Sequence, residues 1–384
     1  MNRTFYGLGV ASIGLAFAFS ACSHTARFAA NRTPPYRVLV LGDSIPWGQG
    51  LAPKHKFTEL VATALSSSLK REVVVTPHAH SGATIGLDAD GSPDPSTSPG
   101  FKDGEVPTAY PTIWTQISLA QKAKTTYDLV IIDGCINDIK VSTILNPLPW
   151  ALDLEKVTRI QCYEHLRKLL LNLKSSGLLA AGGKVVVTGY YRILSWDSNN
   201  LPSATETLRT FLVALSSTDK AAIEERDRNQ PKVVSASRNL RCGPSLNLRG
   251  NMMCRAMLFK QTSDPYIRRA IAEANGTSPT IFLPAIPEIP SNRSAYANRN
   301  PSDNWIWVVR DRPILSAIDE AQPLPRIPDC YADYASNKQG RLFCKIASIG
   351  HPNPCGAIAY AAAVLSALQV AWKPPADEDC GKMG

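Results

Sequence analysis

Five short apolar runs, separated by helical patterns, constrain this chain more than any other feature. RVLVL (Arg37–Leu41), EVVVTP (Glu72–Pro77), YDLVIIDG (Tyr127–Gly134) and KVVVTGYY (Lys184–Tyr191) read as strands, with PTIFLPAI (Pro279–Ile286) a candidate fifth. They are brief and rich in β-branched residues, which favours strand over buried helix. Helical patterns cover Thr58–Leu69, Pro111–Ala123 and Leu154–Ser176. Another begins at Pro354 behind a capping Asn353 and runs to Trp372, before Pro374-Pro375 stops it. Strands without a polar face cannot border water. Their alternation with helices therefore predicts an α/β protein: a parallel sheet covered on both sides.

Two regions fall outside this rhythm. DADGSPDPSTSPGFKDGE (Asp88–Glu105) has loop composition. Residues 192–340 are longer than one helix-to-strand connection needs. They contain many prolines, three cysteines and two strand-like segments, KVVSAS (Lys232–Ser237) and NWIWVV (Asn304–Val309). We read them as a large elaboration of one domain spanning 37–384.

Arg3 is the only charged residue before His24, and FYGLGVASIGLAFAFSA (Phe5–Ala21) is continuously apolar or small. Residues 1–21 have the form of a secretory signal, short for a membrane span. The ending FSAC is similar to a bacterial lipobox, with Phe19 where leucine is usual. It implies lipidation at Cys22, a tether over 22–36 and an exported protein held by lipid in a bacterial envelope. An ordinary signal peptide cleaved nearby is the alternative. The chain has nine cysteines. Setting Cys22 aside leaves an even set, which suits disulfides in an oxidising compartment. Eight cysteines allow on the order of a hundred pairings; the short loops favour Cys242–Cys254 and Cys330–Cys344. No CxxC pair or His–Cys cluster has zinc spacing, so neither metal nor cofactor is called for. The +9 charge is scattered without a block of like charges, which gives no support to nucleic-acid binding. With 44% hydrophobic and 19% charged residues, the chain is ordinary globular material and not a disordered one.

Parallel sheets bind ligands at the C-terminal ends of their strands. Gly42-Asp43-Ser44 follows the first run, Ser81-Gly82-Ala83 the second, and Gly134-Cys135-Ile136-Asn137-Asp138 the third. His351 lies in SIGHPNPCG, before the last helix. Taken singly, each has a bland role: Ser44 caps a helix, Gly82 turns the chain, Asn137 and Asp138 form a turn, and His351 fills a core edge.

Taken together, GDSIPWG, HSGATIG, GCIND and GHPNPCGAIAYA resemble, in order, the four blocks of the SGNH hydrolases, also called the GDSL esterase/lipase family. The match covers about 37–190 and 345–372. The resemblance implies a flavodoxin-like, three-layer α/β/α sandwich with a five-stranded parallel sheet. It also implies a carboxylic ester hydrolase without a cofactor. Ser44 would be the nucleophile and His351 the base. The backbone amides of Ser44 and Gly82, with the Asn137 side chain, would form the oxyanion hole. Asp43 and Asp138 would brace their loops. The family usually has aspartate three residues before the histidine, where this chain has Ser348. Ser348, a backbone carbonyl, or Asp303, Asp311 or Asp333 is left as the group orienting the imidazole. Cys135 lies inside the third block, where a disulfide to Cys162 would fix the Asn137 loop; Cys355–Cys380 would pin the tail. Trp47, Trp305 and Trp307 are expected as core or rim before cleft.

The expected partners are an ester substrate (acyl lipid, acetylated saccharide or small ester) and the membrane through the N-terminal anchor. Two other functions fit the same residues. One is an O-acyltransferase or deacetylase acting on envelope polysaccharide; the other is a non-catalytic lipid- or glycan-binding envelope protein.

Overall fold

A computed structural model describes residues 33–88, 91–93, 104–146, 153–201, 242, 248–277, 281–308, 326–336 and 338–375. Cys22, Lys232–Ser237, Asp311 and Cys380 lie outside them, as do the signal and most of the tether. Pro35–Gly384 forms one compact unit; of the preceding unit, Met1–Pro34, only Thr33 and Pro34 are described.

The five runs form five strands: β1 (Tyr36–Val40), β2 (Val73–Pro77), β3 (Tyr127–Ile132), β4 (Leu179–Thr188) and β5 (Phe282–Ala285). All pairings are parallel, in the order β2-β1-β3-β4-β5. The chain order reverses its direction of growth between β1 and β3. A parallel sheet opens a ligand crevice at such a point.

Burial follows position in the sheet. Val38–Val40, Leu129–Ile132 and Val185–Val187, on the three inner strands, are buried. Each such side chain contributes roughly 1.5–3 kcal/mol on leaving water. β2 is an edge strand, and Val74 is 40% exposed. β4 starts at Leu179, six residues before its valine run at Val185. Its register jumps between the pairs Tyr127–Leu179 and Leu129–Lys184, and Gly182 within the irregularity has φ +77°.

The helices are α1 (Ser44–Trp47), α2 (Phe57–Leu69), α3 (Ile113–Lys122), α4 (Ile136–Ile139), α5 (Val141–Ile144), α6 (Leu154–Arg159), α7 (Leu166–Ser175), α8 (Leu248–Asn275), α9 (Arg326–Asp333), α10 (Lys338–Lys345) and α11 (Pro354–Ala367). A π-helical turn, Ile160–His165, joins α6 to α7. Helices cover both sides of the sheet: α2 packs with α11, and α8 packs with α6 and α7.

The 28-residue α8 had no clear apolar period, and its packing explains why. Met252, Phe259, Ile267 and Ile271 are buried on it, but so are Asn251, Arg255, Lys260 and Ser263. Buried Arg255 donates to the Thr143 carbonyl at 2.7 Å, and desolvation pushes its guanidinium down to about 10. The strand expected at Asn304–Val309 is not one over its described part. Only Ile306 bridges Pro352, because the partnering chain turns into α11 at Pro354.

Three disulfides join Cys135–Cys162, Cys242–Cys254 and Cys330–Cys344. Cys355 is disulfide-bonded too.

Candidate active site

Gly42 lies in the turn after β1 with φ +125°, a conformation suited to glycine. A Cβ there would lie 2.2 Å from Asp133 Oδ1. Both ends of the Gln116 side-chain amide tie this turn down. Its Oε1 accepts from Gly42 N–H at 2.8 Å and its Nε2 donates to the Gly42 carbonyl at 3.0 Å. The helix cap is Asp43, not Ser44: Asp43 Oδ1 accepts from Ile45 N–H at 2.9 Å. Ser44 therefore stands at the first position of α1 with its hydroxyl uncommitted to capping.

That hydroxyl meets His351. Nε2 of the imidazole lies 2.7 Å from Ser44 Oγ, across 307 positions of sequence. The histidine loop is clamped from several sides. Trp307 N–H donates to the His351 carbonyl at 2.8 Å, and Gly350 N–H donates to the Trp307 carbonyl at 3.0 Å. His351 N–H donates to the carbonyl of buried Ser348 at 3.0 Å, and Tyr191 OH donates to the Gly350 carbonyl. Asn353 Oδ1 then accepts from Cys355 and Gly356 N–H, opening α11. Of the acids considered for orienting the imidazole, Asp303 is exposed.

Gly82 sits beyond β2 with φ +81°. A Cβ would come within 2.8 Å of Thr108 N and 2.9 Å of Thr108 O. The neighbouring Asn137 Nδ2 donates to the Ala83 carbonyl at 3.0 Å. Asp138 accepts from Ile85 N–H with both oxygens, each at 3.1 Å. These bonds lock the second and third loops together. Cys135, at φ +124°, holds a backbone region where a side chain is strained. Its disulfide to Cys162 in the π-helical turn secures that conformation.

Beneath the serine lies a polar cluster with no exposure. Asp43 N–H donates to Asp133 Oδ1 at 2.9 Å, and Tyr190 OH donates to Asp43 Oδ2 at 3.0 Å. The Tyr190 oxygen in turn accepts from Ile136 N–H at 3.3 Å, so one phenol joins the serine turn to the Asn137 loop. Burial raises both carboxyls, and the nearby Asp43 charge lifts Asp133 well above the ordinary range. The donors on the Asp43 oxygens, Ile45 N–H and the Tyr190 hydroxyl, offset part of its rise, so Asp133 is the more strongly raised of the two. Burial also raises Tyr190 strongly, keeping it a phenol that donates.

The strand order, the four loops at its crevice and the Ser44–His351 contact give the architecture its place. It is a five-stranded parallel sheet covered by helices on both sides, the architecture that the resemblance to the SGNH hydrolases implied. No family model matches the chain, and no curated protein matches it in sequence. Solved structures similar to it include an extracellular lipase from Streptomyces rimosus. The two are 14% identical, covering 86% of this chain and 99% of that one, with a TM-score of 0.42. A phospholipase A1 from Streptomyces albidoflavus NA297 is 12% identical over 87% and 99%, with a TM-score of 0.43. A carbohydrate acetylesterase from Sinorhizobium meliloti is 16% identical over 60% and 99%, with a TM-score of 0.26.

At this crevice, Ser44, Gly82, Asn137 and His351 all line one cavity of about 520 Å³. Trp47, Trp305 and Trp307 are partly buried against the core and are not among its lining residues. Trp47 instead donates to Glu105 at 2.6 Å, with Lys56 Nζ 3.8 Å above its ring. Glu105 also accepts from Gln49 and Gly50, anchoring the chain just after the serine turn. Sequence reasoning passed over Gln116, Asp133, Tyr190, Tyr191 and Glu105. For Asp133, Tyr190 and Tyr191 the signal was present, since they too stand at strand ends.

Proposed function

We propose that the protein hydrolyses carboxylic esters through an acyl-enzyme on Ser44. The observation that carries this is the 2.7 Å contact between Ser44 Oγ and His351 Nε2 on the wall of a cavity that Gly82 and Asn137 also line. Ser44 Oγ attacks the ester carbonyl while its proton passes to His351 Nε2. The tetrahedral oxyanion is met by the amides of Ser44 and Gly82 and by the Asn137 side chain. Collapse breaks the bond to the alcohol oxygen, which leaves with the proton from His351. A water then attacks the acyl group, gives one proton to His351, and releases the carboxylic acid as Ser44 Oγ regains its proton. His351 needs a fixed orientation for both transfers, and the clamped histidine loop supplies it.

The enzyme would act in a bacterial envelope, exported by residues 1–21 and held by a lipid on Cys22. The lipobox-like FSAC and the even remaining cysteine set support that location. The test of the chemistry is hydrolysis of p-nitrophenyl esters by wild type and Ser44→Ala. Wild type turns them over; the variant loses at least about 10³-fold in kcat. Equal rates for the two proteins would end the proposal.

A further inference from the structure

The cavity beside Ser44 is much larger than the reacting groups require. Its roughly 520 Å³ would hold about 17 water-sized groups at about 30 Å³ each. An acetyl group would leave most of it empty. The walls away from Ser44 and His351 are largely aliphatic: Leu145 just after α5, Ile193, Leu194 and Leu201 after β4, Met252 of α8, and Ile346 after α10. All six side chains are buried. Four of them come from the long segment after β4 that none of the four sequence blocks covers. A sugar ring pressed on these walls would lose water without gaining partners for its hydroxyls. Some polar side chains do line the cavity. Asn137 and His351 belong to the reacting set, the Tyr191 hydroxyl already donates to Gly350, and Ser81, Thr84 and Tyr296 are the other hydroxyl side chains on an otherwise apolar lining. Lys140 is exposed and lies where the cavity meets solvent.

We infer that this cavity is an acyl pocket, and that the preferred substrates carry an unbranched acyl chain of about eight or more carbons. The inference rests on the ester-hydrolase proposal and names its substrate class. The acyl part stays bound through both acylation and deacylation, whereas the alcohol leaves after the first. A pocket for the acyl chain therefore assists both steps.

The experiment compares p-nitrophenyl acetate, butyrate, octanoate and decanoate, with octyl acetate as the reversed ester. Each buried methylene is worth roughly three- to fourfold in kcat/KM. The octanoate-to-acetate ratio is therefore expected to reach at least about 100. Met252→Trp and Leu201→Trp, which fill the pocket, are each expected to lower that ratio at least about tenfold. A wild type that prefers acetate or octyl acetate, or variants with an unchanged ratio, would overturn the inference while leaving the hydrolase proposal standing. Ligand binding to Ser44→Ala separates the two ideas in the other direction. Decanoate should raise its Tm and acetate should not. Equal shifts from the two acids would again count against the pocket. If decanoate binds but wild type turns over no ester, the pocket stands and the hydrolase proposal fails.

Discussion

At the scale of single residues, the serine is set by neighbours that do no chemistry. Asp133 shows how. Burial and the neighbouring Asp43 charge raise its carboxyl, so it holds its proton to higher pH in the folded protein than when unfolded. Its stabilising contribution is therefore present at low pH and lost as pH rises from 3.8 through the raised titration of the Asp43–Asp133 pair. Asp133→Asn keeps an oxygen for the Asp43 amide but cannot titrate. Urea unfolding followed from about pH 4 to 8 should show a flatter stability profile in this variant than in wild type. Gly82 gives a second residue-scale expectation. A methyl group there meets the Thr108 backbone and an unfavourable φ, so Gly82→Ala should cost about 1–3 kcal/mol in unfolding experiments. Its kcat should fall as well. Asn137→Ala should lower kcat by about 10²–10³ with little change in secondary structure by circular dichroism.

At the scale of elements, what could be read from the chain depended on whether each element buried one kind of residue. β1, β3 and β4 are surrounded on both faces by apolar groups, so their valine and isoleucine runs stood out. α2 and α11 each bury an apolar stripe, and α11 opens with a capping Asn353 followed by Pro354. α8 defeated periodicity because it buries Arg255, Lys260 and Asn251 beside its methionines. The site divides similarly. Ser44, Gly82, Asn137 and His351 stand directly after strands or before a helix, where sequence position implies exposure to the crevice. Gln116 and Glu105 reach the serine turn from a helix face and a loop end. Nothing local in sequence marks a contact across 74 or 55 positions. The Cys135–Cys162 link belongs to this scale. It ties the strained entry of α4 to the π-helical turn. Replacing both cysteines by serine should cost about 2–4 kcal/mol by urea unfolding. Activity should fall at temperatures where the variant is still folded, because the Asn137 loop loses its tie.

At the scale of the whole molecule, the sheet brings distant segments to one crevice, and under the proposed envelope location the N-terminal segment would decide where that crevice works. If Cys22 carries the anchor, Cys22→Ser should move the protein from the membrane pellet to the soluble fraction after export, with ester turnover per molecule unchanged. The meeting of Ser44 with a histidine 307 residues later has a consequence for how activity first appears. During synthesis, β1 and its serine turn leave the ribosome long before the chain that closes over them. A nascent chain arrested before Ser348 would present the serine turn with no base. Hydrolytic competence would therefore arrive late and all at once, when the α11 segment docks against α2 and completes the most sequence-distant contact in the crevice.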